Sequence, residues 1–258
     1  MRDDYDPRLS IRGEGRAVVL VSGMDGTGDL FYRQVPRLEE SYRVATYALR
    51  EDADSHDQLA ADLARVVDVV APTERRAIIV GESFGGTVAL TLALRHPERV
   101  QALVILNSFP YFAPQRRLQL AIAGLSILPW GAMPLVRRLT AFRLHSAHTQ
   151  RADVRRFVEL TARTTRSGYL NRLRLLRSFD VRGRLRDVRQ PALFLAAERD
   201  HLVPSVAQAR YMADRVPAGV MRILGGHGHI CLIAPDLDLA RILHEWDEGS
   251  ERPADREA

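Results

Sequence analysis

A serine with a glycine two residues away on each side, in Gly81-Glu82-Ser83-Phe84-Gly85, is the feature that most restricts how this chain can fold. It follows a short β-branched run at 77–80 and precedes an apolar, helix-like stretch at 87–94. A tight turn from a strand into a helix needs those two glycines, because larger side chains would collide with the neighbouring strand and helix. The segment predicts a strand, a strained turn that displays Ser83, and a helix. The alternative is a turn that merely packs tightly.

Short apolar runs alternate with helical patterns over most of the chain. Runs that are apolar at nearly every position suit strands covered on both faces, and their alternation with helices predicts an α/β fold with a doubly wound, mostly parallel sheet. The predicted strands cover residues 17–21, 44–48, 77–80, 100–106, 192–196 and 220–224. The predicted helices include residues 58–70, 87–95, 205–215 and 236–246.

The alternation stops between residues 108 and 185, where helical segments follow one another without a convincing strand. This predicts one α/β core, formed by residues 1–107 and 186–248, with residues 108–185 inserted as a helical lid. Glycines and prolines interrupt the first part of the insertion, which suits two short helices better than one long helix. The polar residues 249–258 are expected to form a disordered tail.

Charge is distributed unevenly along the chain. Residues 108–185 hold fifteen arginines against three acidic residues, a net charge of +12, whereas the whole chain carries +5. A basic insertion could attract acidic acyl groups, coenzyme A, a carrier protein or an anionic membrane surface, but a solvated arginine-rich helix face explains it as simply. Nucleic acid binding is not expected, since no recognised motif accompanies the basic stretch.

The composition excludes several kinds of chemistry. All 37 basic residues are arginine, so a Schiff base to pyridoxal phosphate, a P-loop lysine and a serine–lysine dyad are ruled out. Cys231 is the only cysteine, so no intrachain disulfide can form, and it is not expected to be a nucleophile. No uninterrupted apolar stretch of about 18 residues predicts a membrane span. The charged first residues lack the apolar core of a signal peptide, and we expect a cytoplasmic protein.

A serine nucleophile needs a histidine to take its proton and a carboxylate to orient that histidine. Candidates for both lie beside the last two predicted strands, at 192–196 and 220–224. The residues of a catalytic triad are expected in loops that leave the carboxyl ends of such strands. The acid candidates are Asp200, Glu198 and Asp187, and the histidine candidates are His227 and His229.

The order serine, acid, histidine, with each residue after a strand, resembles the α/β-hydrolase superfamily over nearly the whole chain. The superfamily places the acid just before a short apolar segment with a proline, which implies Asp200 ahead of Leu202-Val203-Pro204. It places the histidine after a glycine near the last helix, which implies His229 in Gly228-His229-Ile230. The resemblance therefore implies a triad of Ser83, Asp200 and His229.

The oxyanion formed in acyl transfer needs two preorganised N–H donors. The backbone N–H of Phe84, directly after Ser83, is the first candidate. Met24 is the second, because it lies in a glycine-rich loop after the strand at 17–21. That loop, Gly23-Met24-Asp25-Gly26-Thr27-Gly28, resembles a loop of esterases, lipases and thioesterase-like hydrolases, although Ser22 stands where proline or histidine is usual.

Other kinds of site are less well supported. His227 and His229 could share a metal ion, but a third ligand at a supportive spacing and a zinc motif are missing from the sequence, so we expect no metal. The glycine-rich loop at 23–28 lacks the spacing of a dinucleotide-binding motif, so we expect no cofactor.

These residues predict a serine hydrolase that cleaves a carboxylic ester of short to medium acyl chain through an acyl-serine intermediate. The expected partner is a small-molecule acyl ester or thioester. Thioester hydrolysis or acyl transfer to an alcohol would use the same intermediate, and a catalytically silent binding protein could share the fold. Apolar residues of the insertion could line an acyl pocket, although packing of the insertion explains them equally well: Leu118, Leu120, Ile122, Leu125, Ile127, Leu128, Trp130, Met133 and Leu135.

Overall fold

The centre of the computed structural model, which describes residues 8–112, 130–133, 135, 136, 138 and 144–250, is a seven-stranded sheet. The strand order is β1-β3-β2-β4-β5-β6-β7; β1 is antiparallel to β3, and the other pairs are parallel. All six predicted strands are present, and the predicted doubly wound, mostly parallel sheet is confirmed. The strands are β1 (Leu9–Arg12), β2 (Arg16–Val21), β3 (Tyr42–Tyr47), β4 (Ala77–Glu82), β5 (Val100–Leu106), β6 (Ala192–Ala197) and β7 (Gly219–Leu224).

Helices cover both faces of the sheet, and side-chain caps fix where two of them begin. Ser55 Oγ accepts a hydrogen bond from Gln58 N at 3.2 Å at the start of α2. Asp238 Oδ1 accepts one from Arg241 N at 3.0 Å, so the last helix begins after Asp238 and not at residue 236 as predicted. The helices are α1 (Val35–Leu38), α2 (His56–Val70), α3 (Phe84–Arg95), α4 (Arg151–Thr161), α5 (Arg166–Arg177), α6 (Ser205–Ala213) and α7 (Leu239–Ser250).

Each face of the sheet buries its own cluster of apolar side chains. In β2, Val19 and Val21 belong to the cluster that contains α2 and α3, whereas Val18 and Leu20 belong to the cluster that contains α1 and α7. All four side chains are fully buried. Burial of one such side chain contributes about 1.5–3 kcal/mol. The two clusters therefore hold the strands, and the loops at their carboxyl ends, in fixed positions.

Strand β1 was not predicted. It lies at the edge of the sheet, where its residues are alternately half-buried and exposed. Four residues of alternating character give a weaker signal than a continuous apolar run. Continuous apolar runs indicate strands covered on both faces, so they do not indicate this edge strand.

The inserted segment leaves the core after β5, and its two ends are hydrogen-bonded to each other where they join the core. Val181 N donates a hydrogen bond to Pro110 O at 2.8 Å, and Tyr111 forms an isolated antiparallel bridge with Asp180. We call this pairing of residues 110–112 with residues 179–181 the neck of the insertion. It lies just inside the predicted boundaries at 108 and 185.

The described part of the insertion packs closely on the core. Helix α5 places Leu175 and Leu176 in the cluster that contains α2 and α3. Helix α4 places Phe157 against Leu30 and Ile233. The role of residues 108–185 as a lid stays a prediction.

Two further predictions fall largely on residues that the structure does not describe. Of the proposed acyl-pocket residues, those at 118–128 lie outside the described part of the chain, Met133 is buried and Leu135 is exposed. Helix α7 continues to Ser250, and the rest of the predicted tail, residues 251–258, also lies outside. Among the described residues, no helix has the length and apolar character needed to cross a bilayer.

Candidate active site

Ser83 lies on a sharp turn between β4 and α3. Its φ of 50° and ψ of −114° describe a backbone conformation that residues other than glycine rarely adopt. A Cβ on Gly81 would lie 2.6 Å from Gly85 O, and a Cβ on Gly85 would collide with the carbonyl group of Val21. The backbone N–H of Ser83 donates to Leu106 O at 2.9 Å, which ties the turn to β5. The two glycines thus permit the turn, as the sequence predicts.

The side chain of His229 connects Ser83 to Asp200. Its Nε2 atom lies 3.1 Å from Ser83 Oγ, and its Nδ1 atom lies 2.7 Å from Asp200 Oδ2. All three side chains are buried. They come from the loops or turns that follow β4, β6 and β7. Because these strands are parallel, their carboxyl ends lie on the same side of the sheet and bring the three side chains together. This is the geometry in which a histidine can take the proton of a serine hydroxyl.

Asp200 is held by hydrogen bonds that keep it ionised. Its Oδ1 atom accepts from the backbone N–H groups of Leu202 and Val203, each at 2.9 Å, and its Oδ2 atom accepts from Ser205 Oγ. Burial alone would raise the pKa of Asp200, but the charge of His229 and these hydrogen bonds outweigh it and leave the pKa lowered. Ser205 was not singled out from the sequence.

The other two acid candidates have different surroundings. Glu198 is exposed and accepts a hydrogen bond from Gly226 N at 2.8 Å. Asp187 is exposed and pairs with Arg184 at 3.1 Å. Of the three carboxylates considered, Asp200 is therefore the one that reaches His229.

His227 and His229 have different partners. His227 Nδ1 lies 2.9 Å from Ser146 Oγ, and its Nε2 atom lies 3.6 Å from Asp236 Oδ2. Gly228 separates the two histidines where the chain passes close to the insertion, since a Cβ there would lie 2.6 Å from Leu144 O. Within the described ranges, no three histidine, cysteine, aspartate or glutamate side chains are placed so that they could hold a metal ion.

A second buried carboxylate, Glu82, lies beside the histidine. Its Oε1 atom is 3.9 Å from His229 Nε2. Burial raises the pKa of Glu82 to about 7, and the charge of His229 partly opposes this rise. Burial alone would lower the pKa of His229, but Asp200 and Glu82 outweigh it and leave the pKa raised. The sequence signal for Glu82 was its place in the turn immediately before Ser83.

The glycine-rich loop at 23–28, which we call the oxyanion loop after the role predicted for it from the sequence, lies against the turn that carries Ser83. A Cβ on Gly23 would collide with the Glu82 carboxylate and lie 3.3 Å from Ser83 Cβ, so a glycine lets the loop come this close to the turn. Gly26 N donates to Gly23 O at 3.1 Å and closes a turn that carries Met24. Phe84 is the first residue of α3, where backbone N–H groups have no partner within the helix.

Asn107, at the carboxyl end of β5, is a further polar residue of the site that was not predicted from the sequence. Its side chain Nδ2 donates to His229 O at 2.9 Å, and its Oδ1 accepts from Ala197 N at 2.8 Å. It therefore joins the ends of β5 and β6 to the loop that carries the histidine. The available sequence signal was a polar residue directly after the apolar run at 100–106. In the structure Asn107 has a φ of 48°, in the left-handed region.

With this fold and this site, the chain belongs to the α/β hydrolase fold family, whose model matches residues 16–234. A pimeloyl-acyl-carrier protein methyl ester esterase of Xanthomonas campestris pv. campestris is 30% identical over 249 residues, which cover 92% of this chain and 97% of the relative. A protein of Azorhizobium caulinodans with the provisional name carbamate hydrolase RutD is 28% identical over 250 residues, 91% of this chain and 92% of the relative.

Solved structures show the same fold. An esterase from Thermogutta terrifontis superposes with a TM-score of 0.82 at 17% identity and covers 95% of this chain and 94% of its own. At this identity the likeness concerns the fold alone. The family match and the relatives above identify the chain as an esterase-like hydrolase and confirm the resemblance drawn from the sequence.

Proposed function

We propose that the protein is a serine hydrolase that cleaves carboxylic esters of short to medium acyl chain through an acyl-serine intermediate. The observation that carries the proposal is the continuous chain of contacts from Ser83 Oγ through the His229 ring to Asp200, at 3.1 Å and 2.7 Å. A positioned base next to a serine hydroxyl activates a nucleophile that is otherwise weak.

The proposal gives each residue of the site a defined part in the reaction. Ser83 attacks the ester carbonyl while His229 takes its proton, and His229 then donates that proton to the leaving alcohol. Asp200 keeps the His229 ring in the required tautomer and stabilises the imidazolium. The backbone N–H groups of Met24 and Phe84 stabilise the oxyanion. In the second half of the reaction, His229 activates water, and the acid leaves Ser83.

The first experiment compares wild-type protein with Ser83→Ala on p-nitrophenyl acetate, butyrate, octanoate and palmitate. We expect Ser83→Ala to lose activity by about 10³-fold or more. Ser167→Ala is the matched control, because this serine is exposed on α5, and it should keep wild-type activity. Circular dichroism would establish that all three proteins are folded. A preference for one acyl length would support a shaped acyl pocket.

Equal activity of wild-type protein and Ser83→Ala, or no activity in either, would contradict the proposal. The same panel then needs an acyl thioester and an added alcohol acceptor, since the acyl-serine also serves thioester hydrolysis and acyl transfer. If these also fail, a catalytically silent binding protein on this fold becomes the better explanation.

A carrier-bound acyl ester is a second candidate substrate. One relative is named for hydrolysis of an ester on an acyl-carrier protein, and helices α4 and α5 with the turn between them carry seven exposed arginines. Positive charge of this kind favours an acidic partner. A methyl ester on an acidic carrier, added to the same panel beside its free analogue, would show whether the carrier raises kcat/KM. The exposed residues are Arg151, Arg155, Arg156, Arg163, Arg166, Arg174 and Arg177.

A further inference from the structure

Arg172, on helix α5 of the insertion, is buried against the oxyanion loop. Only 2% of the residue is exposed. Its Nε atom donates to Met24 O at 3.1 Å, and its Nη2 atom donates to Asp25 O at 3.1 Å. Thr164 Oγ1 donates to the same Asp25 oxygen, also at 3.1 Å. Two successive carbonyl groups of the loop thus accept hydrogen bonds from the insertion.

The loop is shaped to receive this guanidinium group. Gly26 has a φ of 69°, and a Cβ at that position would lie 2.5 Å from Arg172 Cζ. The side chain of Arg172 therefore occupies the space that a side chain on residue 26 would need. On its other side the loop contacts the turn that carries the nucleophile, because Gly23 lies against Glu82 and Ser83. The turn that carries Met24 is enclosed between Ser83 and Arg172.

The position of these hydrogen bonds bears on catalysis. The Met24 N–H belongs to the peptide group just before the two whose carbonyls Arg172 holds. An oxyanion donor lowers the barrier only when it already points at the developing charge, because no energy is then spent on reorienting it. Fixing the next two peptide groups limits the rotation of the Met24 N–H from one side, and the hydrogen bond from Gly26 N to Gly23 O, at 3.1 Å, limits it from the other.

We propose that Arg172 is a positioning residue, which holds the oxyanion loop so that the Met24 N–H faces the carbonyl attacked by Ser83. The inference rests on the esterase function proposed above and extends it to a residue of the insertion. It makes part of the oxyanion site depend on a helix that lies more than a hundred residues away along the chain.

The test measures kcat, KM and the affinity for a trifluoromethyl ketone, which forms a tetrahedral adduct with an active serine. In Arg172→Met we expect kcat to fall roughly 10- to 100-fold, KM to stay within about 2-fold, and the ketone to bind weaker by a factor similar to the loss in kcat. Arg172→Lys should not restore kcat, since a single ammonium group lacks the planar fork that reaches two carbonyls. Arg186→Met, an exposed arginine between the neck and β6 that belongs to neither the site nor the exposed arginines of α4 and α5, is the control and should leave all three values unchanged.

Thr164→Val keeps the inference testable if Arg172→Met does not fold. It removes one of the two donors to Asp25 O with little change in volume, and we expect kcat to fall about 3-fold at unchanged KM. Thermal unfolding of every variant separates loss of fold from loss of positioning. Guanidinium-dependent recovery of activity in Arg172→Ala would be a further sign of positioning.

Unchanged kcat and ketone affinity in folded Arg172→Met, together with a lower melting temperature, would overturn the inference and leave Arg172 with a packing role only. Wild-type protein that shows no Ser83-dependent activity would instead overturn the proposed function, and the inference with it. The Ser83→Ala comparison distinguishes these two failures.

Discussion

The two sides of the site are held in place by different kinds of contact. On the core side, backbone N–H groups hold Ser83 and Asp200 in place. Ser83 N–H donates to Leu106 O, and Asp200 accepts from the N–H groups of Leu202 and Val203. On the insertion side, long side chains reach across the chain. Arg172 binds the oxyanion loop over a separation of 148 residues, and Arg33 reaches Asp153 on α4 over 120.

This difference has a physical consequence. Backbone contacts beside a buried strand allow little variation, because any change of side chain near them meets main-chain atoms. Side-chain contacts at the surface of the insertion retain some hydration and can adjust. We therefore expect the core side to tolerate substitution poorly and the insertion side to tolerate it better, except at buried Arg172.

The largest expected difference in stability separates two glycines. Gly85→Ala places a methyl group against the carbonyl group of Val21, and we expect a loss of about 3 kcal/mol in the free energy of unfolding. Gly183→Ala is the control in the insertion, because a Cβ there would meet nothing within 4 Å, and it should change stability by less than about 0.5 kcal/mol. Urea denaturation measures both. Similar midpoints for the two variants would remove the proposed contrast between core and insertion.

A smaller effect is expected where α4 meets the core. Asp153 Oδ1 accepts from Tyr32 Oη at 2.8 Å and from Arg33 Nη2 at 2.6 Å, and the Asp153 side chain is only 5% exposed. Because the side chain of Arg33 is 28% exposed and partly hydrated, Asp153→Asn should cost about 1–2 kcal/mol. The exposed pair of Arg184 with Asp187 is the control.

Asp187→Asn should change the free energy of unfolding by less than about 0.5 kcal/mol, since solvent screens that pair. Both variants are compared by urea denaturation and by kcat on p-nitrophenyl butyrate. If Asp153→Asn proves no more destabilising than Asp187→Asn, the contact between α4 and the core does not anchor the insertion.

The smallest effect concerns pH and the core side alone. Glu82 faces His229, Asp25, Asp200 and Cys231, and its ionised form stabilises the imidazolium of His229. Glu82→Gln removes that charge, so the pKa of His229 should fall. His229 must be unprotonated to act as a base, and the acid limb of the kcat/KM profile should therefore move to lower pH.

The measurement is kcat/KM for p-nitrophenyl butyrate over about pH 5 to 9. Glu159→Gln, an exposed carboxylate on α4, is the control and should leave the profile in place. A profile that stays unchanged in Glu82→Gln, or moves to higher pH, would show that Glu82 does not support the protonated form of His229.

The same contrast explains how much could be predicted from the sequence. Ser83 and the strands on either side of the site could be found because apolar runs covered on both faces leave a strong local pattern. The choice of Asp200 and His229 among their neighbours came from the resemblance to a known superfamily. The structure gives His227 a different partner, and it gives Asp200 the contact with His229.

Residues that act through long-range side-chain contacts left no such pattern. Arg172 is one of fifteen arginines between residues 108 and 185, and no spacing in the sequence marks it as buried. Asn107 is a single polar residue whose partners lie far away along the chain. Ser205 lies only five residues after its partner Asp200, but no motif marks it either. Glu82 could be noticed beside Ser83, but its raised pKa depends on burial that only the folded chain produces.

The neck has a consequence for how a chain of this kind can change over evolutionary time. Because residues 110–112 pair with residues 179–181, the segment between them starts and finishes at adjoining points. A change in the length of that segment should therefore cost little free energy of loop closure, because β5 and β6 remain paired through Leu103 and Ala192. The neck thus leaves the length of the segment open, whereas the contacts of Arg172, Asp153 and Leu176 with the core limit which segments would fit.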